Sequence, residues 1–177
     1  MGEKKEYFTI SVYSENNIGL LNRISAIFLK RHVNLLSMTA SKSEIDDVYR
    51  FIILVKVTET QVKKIVGQIE KQIEVIRAFY HTDSQTIYQE TALFKIASDL
   101  LFEEPHIQNI IKKSGAIIVT VNKKFFVLSK TGTHMETEAL YDALKPFGLL
   151  QFVRSGRIAV TKEAMNISEI LANFKEE

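Results

Sequence analysis

Tyr7-Phe8-Thr9-Ile10-Ser11-Val12-Tyr13-Ser14-Glu15-Asn16-Asn17-Ile18-Gly19-Leu20-Leu21-Asn22-Arg23-Ile24-Ser25-Ala26-Ile27-Phe28 decides the fold. Phe8, Ile10 and Val12 alternate with Thr9 and Ser11, the period-two pattern of a strand with one buried face. Glu15 to Gly19 is rich in turn formers and offers an N-cap in one of its two asparagines. Leu21, Ile24 and Phe28 then recur at helical spacing, and Leu20 and Ile27 widen the stripe. The helix is expected to end near Arg31-His32, whose charge suits the negative end of its dipole. The unit is strand, turn, helix.

The same reading continues outward. Val33 to Ala40 and Val48 to Val57 are predicted strands, separated by polar Ser41 to Asp47. Val62, Ile65, Val66 and Ile69 mark a second amphipathic helix, opened by a cap at Thr58 or Thr60, and Val75 to Tyr80 is a closing strand. The order β-α-β-β-α-β is the ferredoxin-like pattern. His81 to Gln89 is polar and reads as a connection. Beyond it Ala92, Phe94 and Ile96 alternate as a strand, and Ile107, Ile110 and Ile111 share a helical face. Ala116 to Val121 and Phe125 to Leu128 flank a turn. Thr133 and Glu136 have capping-box spacing, and Pro146 and Gly148 stop the helix that follows. Leu149 to Val153 and Ile158 to Val160 are short strands about Ser155-Gly156, and Ile167 to Phe174 is a last amphipathic helix. The fold class is α+β with two ferredoxin-like domains: residues 1–82, a linker at 83–89, and residues 90–177.

Composition sets the outer bounds. The chain has 177 residues, of which 46% are hydrophobic and 25% charged, enough apolar material for a core and too much for disorder. Lys and Arg number 23 against 21 Asp and Glu, a balance too even for a dedicated nucleic-acid binder. With no cysteine there is no disulfide framework, thiolate metal site or cysteine nucleophile. The charged start Glu3-Lys4-Lys5-Glu6 does not read as a signal peptide, and Gly2 lacks the Ser or Thr at position 6 that a myristoylation start wants. Apolar runs are strand-sized, so no membrane span is expected and the location is read as cytoplasmic.

Catalytic motifs are missing. The four histidines (His32, His81, His106 and His134) are scattered and read as surface or cap residues. No nucleophile elbow, P-loop or dinucleotide fingerprint occurs. The expectation is no catalytic residue and no metal ligand. Ile52 and Leu54 place apolar side chains on the sheet face that ferredoxin-like helices leave open, which calls for a cover: a second copy, favoured here, or the second domain.

The strand-to-helix loop is the informative site. Its backbone N–H groups and the helix dipole attract a carboxylate, Gly19 allows close approach, and asparagines suit a zwitterionic ligand. By spacing alone it fits equally a capped turn that needs a glycine.

Glu15-Asn16-Asn17-Ile18-Gly19-Leu20-Leu21-Asn22-Arg23-Ile24 with His32-Val33-Asn34-Leu35-Leu36-Ser37-Met38-Thr39 resembles the ACT domain of the acetolactate (acetohydroxyacid) synthase small subunit family. Leu93-Phe94-Lys95-Ile96, the Thr131-Gly132 turn and Val153-Arg154-Ser155-Gly156-Arg157-Ile158-Ala159 resemble that family's second domain, so the likeness covers nearly the whole chain. Met38, Ala40 and Leu20 depart from the usual Leu, Val and Ala. The resemblance implies a non-catalytic regulatory subunit in branched-chain amino acid biosynthesis. Such a subunit partners a catalytic (large) subunit that carries thiamine diphosphate, Mg and FAD, and holds no cofactor itself. It further implies activation of that subunit, feedback inhibition by a branched-chain amino acid, valine foremost, and a homodimer with the effector between two ACT domains. Carried over by position, the effector site is Asn16, Asn17, Ile18, Gly19, Leu20 and Leu21 of one copy with Asn34 and Leu35 of the other. The alternative is a stand-alone ACT-domain amino-acid sensor that regulates another enzyme.

Overall fold

The computed structural model describes residues 3–175, so the reading of Gly2 lies outside the described residues. The chain forms two units. The first comprises the chain up to Tyr88 together with the segment from Arg157 onward, and the second is Gln89–Gly156.

The first unit opens with β1 (Glu6–Glu15), α1 (Leu20–Lys30), β2 (Leu35–Lys42), β3 (Val48–Val57), α2 (Glu59–Ile69) and β4 (Val75–Thr82). Its antiparallel sheet has the order β2-β3-β1-β4, the ferredoxin-like arrangement. Phe8, Ile10 and Val12 of β1 and Ile53, Val55 and Val57 of β3 face Leu20, Ile24 and Phe28 of α1 and Val62, Ile65 and Ile69 of α2 in one core. Burial of each such side chain contributes about 1.5–3 kcal/mol. Thr58 caps α2 through a reciprocal box with Gln61, which satisfies two otherwise orphaned donors. The end of α1 is closed differently. His32 N–H donates to Leu29 O and Val33 N–H to Phe28 O, both at 3.0 Å, with His32 left-handed at φ 53°. That is a Schellman motif with histidine where glycine is usual.

The second unit takes most of β5 (Thr86–Ala97), then α3 (Asp99–Glu103), α4 (Pro105–Ser114), β6 (Ile117–Val121), β7 (Phe125–Gly132), α5 (His134–Leu144) and β8 (Leu149–Arg154). The strand order β6-β7-β5-β8 repeats the first sheet. Phe94, Ile96, Phe126 and Leu128 pack on Ile107 of α4 and on Leu140 and Leu144 of α5. Thr133 and Glu136 form the expected capping box. Both units are βαββαβ.

Three expectations differ from the structure. Residues 83–89, expected as a linker, carry regular structure: Asp83–Gln85 is a 3-10 turn and β5 begins at Thr86. Its polar residues close the turn, since Gln85 Oε1 accepts from Thr82 N–H at 3.0 Å and Thr86 Oγ1 donates to Thr82 O at 2.8 Å. Residues 157 onward, expected with the second domain, belong to the first unit, where they supply β9 (Ile158–Thr161) and α6 (Ile167–Lys175). β9 pairs with β5.

The third concerns the open face of the first sheet. Thr9 pairs with Leu54 and Ser11 with Ile52, so these residues share that face. Within the single chain Ile52 is only 3% exposed and Leu54 is half-buried. The C-terminal segment reaches this face: Arg157 donates to Thr9 Oγ1, and Leu171 and Ile167 cluster with Tyr13, Ile76 and Phe79. No second copy is needed as cover. Period-two alternation reports that a face is apolar, not which part of the chain lies on it.

Candidate functional site

The β1–α1 loop owes its shape to Asn17. Its Oδ1 accepts from Gly19 N–H at 3.0 Å, and its backbone oxygen accepts from Leu20 N–H at 3.1 Å. Asn17 therefore closes the turn, and neither asparagine caps α1 as expected; the cap position is Gly19. Among the described residues no side chain caps this helix. The N–H groups of Leu21 and Asn22, which a cap side chain would satisfy, are left for an outside acceptor.

Arg23 holds the loop from below. Its guanidinium pairs with Glu74, and its Nη2 reaches Asn17 Oδ1 at 3.4 Å. A Cβ built on Gly19 would stand 3.0 Å from Arg23 Nη1. Glycine at 19 thus makes room for the Arg23 side chain. Arg23 lies inside the family-like motif but was not assigned to the site. Its partner Glu74 sits 51 residues away, so no local signal marks the pair.

The candidate effector residues fall into two groups. Asn16, Asn17, Gly19 and the two leucines stand together at the end of β1, with Ile18 fully exposed and Leu21 about half exposed. The side chain of Leu20 is 1% exposed and packs into the core from α1, which leaves its backbone as the part at the loop. Asn34 is exposed immediately before β2, and Leu35 is half-buried against the core.

The register separates these groups. Glu15 pairs with Val48 at one end of the sheet, while Leu35 pairs with Val55 at the other. Seven residues at about 3.4 Å each put them roughly 24 Å apart along the strands. Asn16 instead borders a cavity of about 300 Å³ against the β2–β3 hairpin, with Lys42, Ser43 and Asp46 in its walls. One chain does not bring Asn16 and Asn34 together.

The second unit has its own polar cluster. Thr137 Oγ1 donates to the buried carboxylate of Glu90, and Arg154 Nε lies 2.8 Å from Glu90 Oε1. Arg154 Nη2 donates to Glu138 Oε2 at 2.6 Å, which holds the Glu138 carboxyl below its ordinary range. Ser155 exchanges two bonds with Thr91, its N–H donating to Thr91 O at 2.8 Å and its Oγ accepting from Thr91 N–H at 2.9 Å. The Arg154-Ser155 part of the family-like ending thus pins β8 to β5. Among the described residues no group of three or more His, Cys, Asp or Glu could hold a metal ion. Among the same residues no helix is long and apolar enough to cross a membrane.

Comparison with known proteins agrees along the chain. Residues 10–77 match the ACT domain of the acetohydroxyacid synthase small-subunit type, and residues 89–163 match the family described as the small subunit of acetolactate synthase. The acetolactate synthase small subunit of Bacillus subtilis is 33% identical over 159 residues, covering 89% of this chain and 91% of that protein. That of Mycolicibacterium smegmatis is 29% identical over 87% of this chain and 90% of that protein. In fold, the crystal structure of the small subunit from Thermotoga maritima superposes with a TM-score of 0.81 at 22% identity, covering 90% of this chain and 99% of that one. The motif at the β1–α1 loop, the two βαββαβ units and these relatives agree: the chain belongs to the acetolactate synthase small subunit family, with an ACT domain as its first unit.

Proposed function

We propose that this chain is the non-catalytic regulatory subunit of acetolactate synthase. It binds the catalytic subunit, raises its activity and confers feedback inhibition by a branched-chain amino acid, valine foremost. Thiamine diphosphate, Mg and FAD reside on the catalytic subunit, and this chain contributes no cofactor.

The observation that carries the reading is the separation of Asn16 from Asn34 along one sheet. β2 is an edge strand, so its outer backbone groups are open to pairing. Two copies joined antiparallel along β2 by a two-fold axis bring the start of the partner's strand beside the end of this one, where Asn16 stands. The partner then supplies Asn34 and Leu35 to the loop of Asn16, Asn17, Gly19 and Leu21. Leu36, 51% exposed on β2, gives that edge apolar area to bury. The effector carboxylate takes the free first-turn N–H groups of α1, where the dipole also favours it. The ligand bridges two chains, so it binds the joined dimer better than the open one, and that difference shifts the population.

The test is acetolactate formation by the catalytic subunit of the same organism, with and without this chain, each with and without L-valine. Activation by the chain, with valine inhibition only when both are present, supports the proposal. A folded chain that leaves the rate unchanged supports instead a stand-alone amino-acid sensor.

A further inference from the structure

The first sheet has a second edge. Among the described residues β4 pairs with β1 alone, and its outer side opens into a groove of about 710 Å³. One wall is α2, through Glu59 and Val66, with Glu70 at its C-terminal cap, and the other is the segment at Glu163 and Met165. The floor is the edge of β4 itself. Ala78 N–H points outward, since it donates to Glu70 Oε1 at 3.4 Å, and Thr82 N–H does so too, being taken by Gln85. Alternation along a strand turns the N–H and C=O of Tyr80, between them, the same way. Among the described residues no side chain takes the Tyr80 pair, and the bond at Ala78 is long.

Carboxylates predominate in the groove: Glu6, Glu59, Glu70 and Glu163 line it, with His81 the one basic side chain among the described lining residues, while Arg77 is exposed elsewhere on the same strand. Lys63 neutralises Glu59 at 2.7 Å, and Lys162 is turned to Ser84 O. Glu6 and Glu163 are exposed carboxylates. An open strand edge between two walls accepts an extended chain by main-chain pairing, and the side chains at its rim select the charge of what enters.

We propose that this groove receives an extended, Lys- or Arg-bearing segment of the catalytic subunit, added as a strand to β4. This rests on the regulatory-subunit reading, which leaves β2 to the second copy and β4 as the remaining edge of the sheet. The incoming strand takes the Tyr80 N–H and C=O, and its basic side chains meet Glu6 and Glu163.

The experiment is amide hydrogen exchange of the full chain across Val75–Thr82, alone and with the catalytic subunit, while complex formation is followed separately by sedimentation. The proposal expects exchange at Tyr80 to slow at least tenfold in the complex. It also expects Glu6→Lys with Glu163→Lys, in a chain of unchanged melting temperature, to weaken the complex at least tenfold. A complex in which β4 exchanges as before overturns this proposal alone, whereas no complex at all overturns the regulatory-subunit reading with it. Protection of β4 in the isolated chain that rises with its own concentration assigns the edge to a second copy, and also overturns the proposal.

Discussion

Arg23 Nη2 lies 3.4 Å from Asn17 Oδ1, the same oxygen that accepts from Gly19 N–H. The arginine therefore reinforces the turn that presents the α1 N-terminus. Arg23→Met is expected to remove the Glu74 pair and the Asn17 contact together and weaken valine binding at least tenfold. Asn16→Ala is expected to weaken binding while leaving the melting temperature unchanged, because the turn is closed by Asn17 and not by Asn16. Asn17→Ala lowers both, since a local side-chain-to-backbone bond of this kind contributes about 1 kcal/mol. Titration calorimetry with L-valine, beside thermal melts, separates the three.

His32 occupies a left-handed position at φ 53° to end α1. A side chain there costs on the order of 1 kcal/mol that glycine does not incur. His32→Gly is therefore expected to stabilise the chain by about 1 kcal/mol in chemical denaturation. No gain would mean that imidazole contacts offset the backbone cost.

Arg157 binds the C-terminal segment to the first unit. Its Nη1 donates to Asp83 Oδ1 at 2.6 Å and to Thr9 Oγ1 at 3.0 Å, and its guanidinium lies 3.7 Å from the Tyr88 ring centroid. Arg157→Ala leaves the buried Thr9 hydroxyl without this donor and Asp83 without its ion pair. The loss is expected to be roughly 2–3 kcal/mol. Limited proteolysis should then release residues after 157 before the rest of the chain is cut.

Glu138 supplies a pH signature. The hydrogen bond from Arg154 lowers its folded-state pKa from 4.5. A lowered carboxylate pKa adds stability that is fully present above the unfolded value, and this stability is lost as pH falls through the folded one. Melting temperature should fall on acidification below about pH 4.5, and Glu138→Gln should shrink that fall while lowering stability at neutral pH. Exposure of this side chain keeps the effect small.

Local chemistry was legible in the sequence, and long-range placement was not. For α2 the sequence narrowed the cap to Thr58 or Thr60, and the structure uses Thr58. Thr133 with Glu136 announced a helix start at the right residue, because a capping box is complete within four positions. Phe8, Ile10 and Val12 announced the core face of β1 for the same reason. The segment after Gly156 read correctly as strand and helix, but its amphipathic faces fit either unit, and long-range contacts decide between them: Arg157 with Asp83 and Thr9, and Leu171 with Tyr13 and Ile76. Leu20 stands both in the helix stripe and in the family-like loop motif, and its burial shows that the side chain serves the stripe. The Arg23–Glu74 pair joins a helix to the residue before β4, which no window along the chain contains.

The central claim is that one effector site takes Asn16 from one copy and Asn34 from the other. Its most direct measurement is equilibrium binding of labelled L-valine to Asn16→Ala, to Asn34→Ala, and to the two unfolded and refolded together. Each variant alone is predicted to lose binding. Random reassembly makes about half the dimers mixed, each with one intact site, so the mixture should recover about one quarter of the wild-type sites at wild-type affinity. A mixture that binds no better than its components would contradict a site shared between two chains.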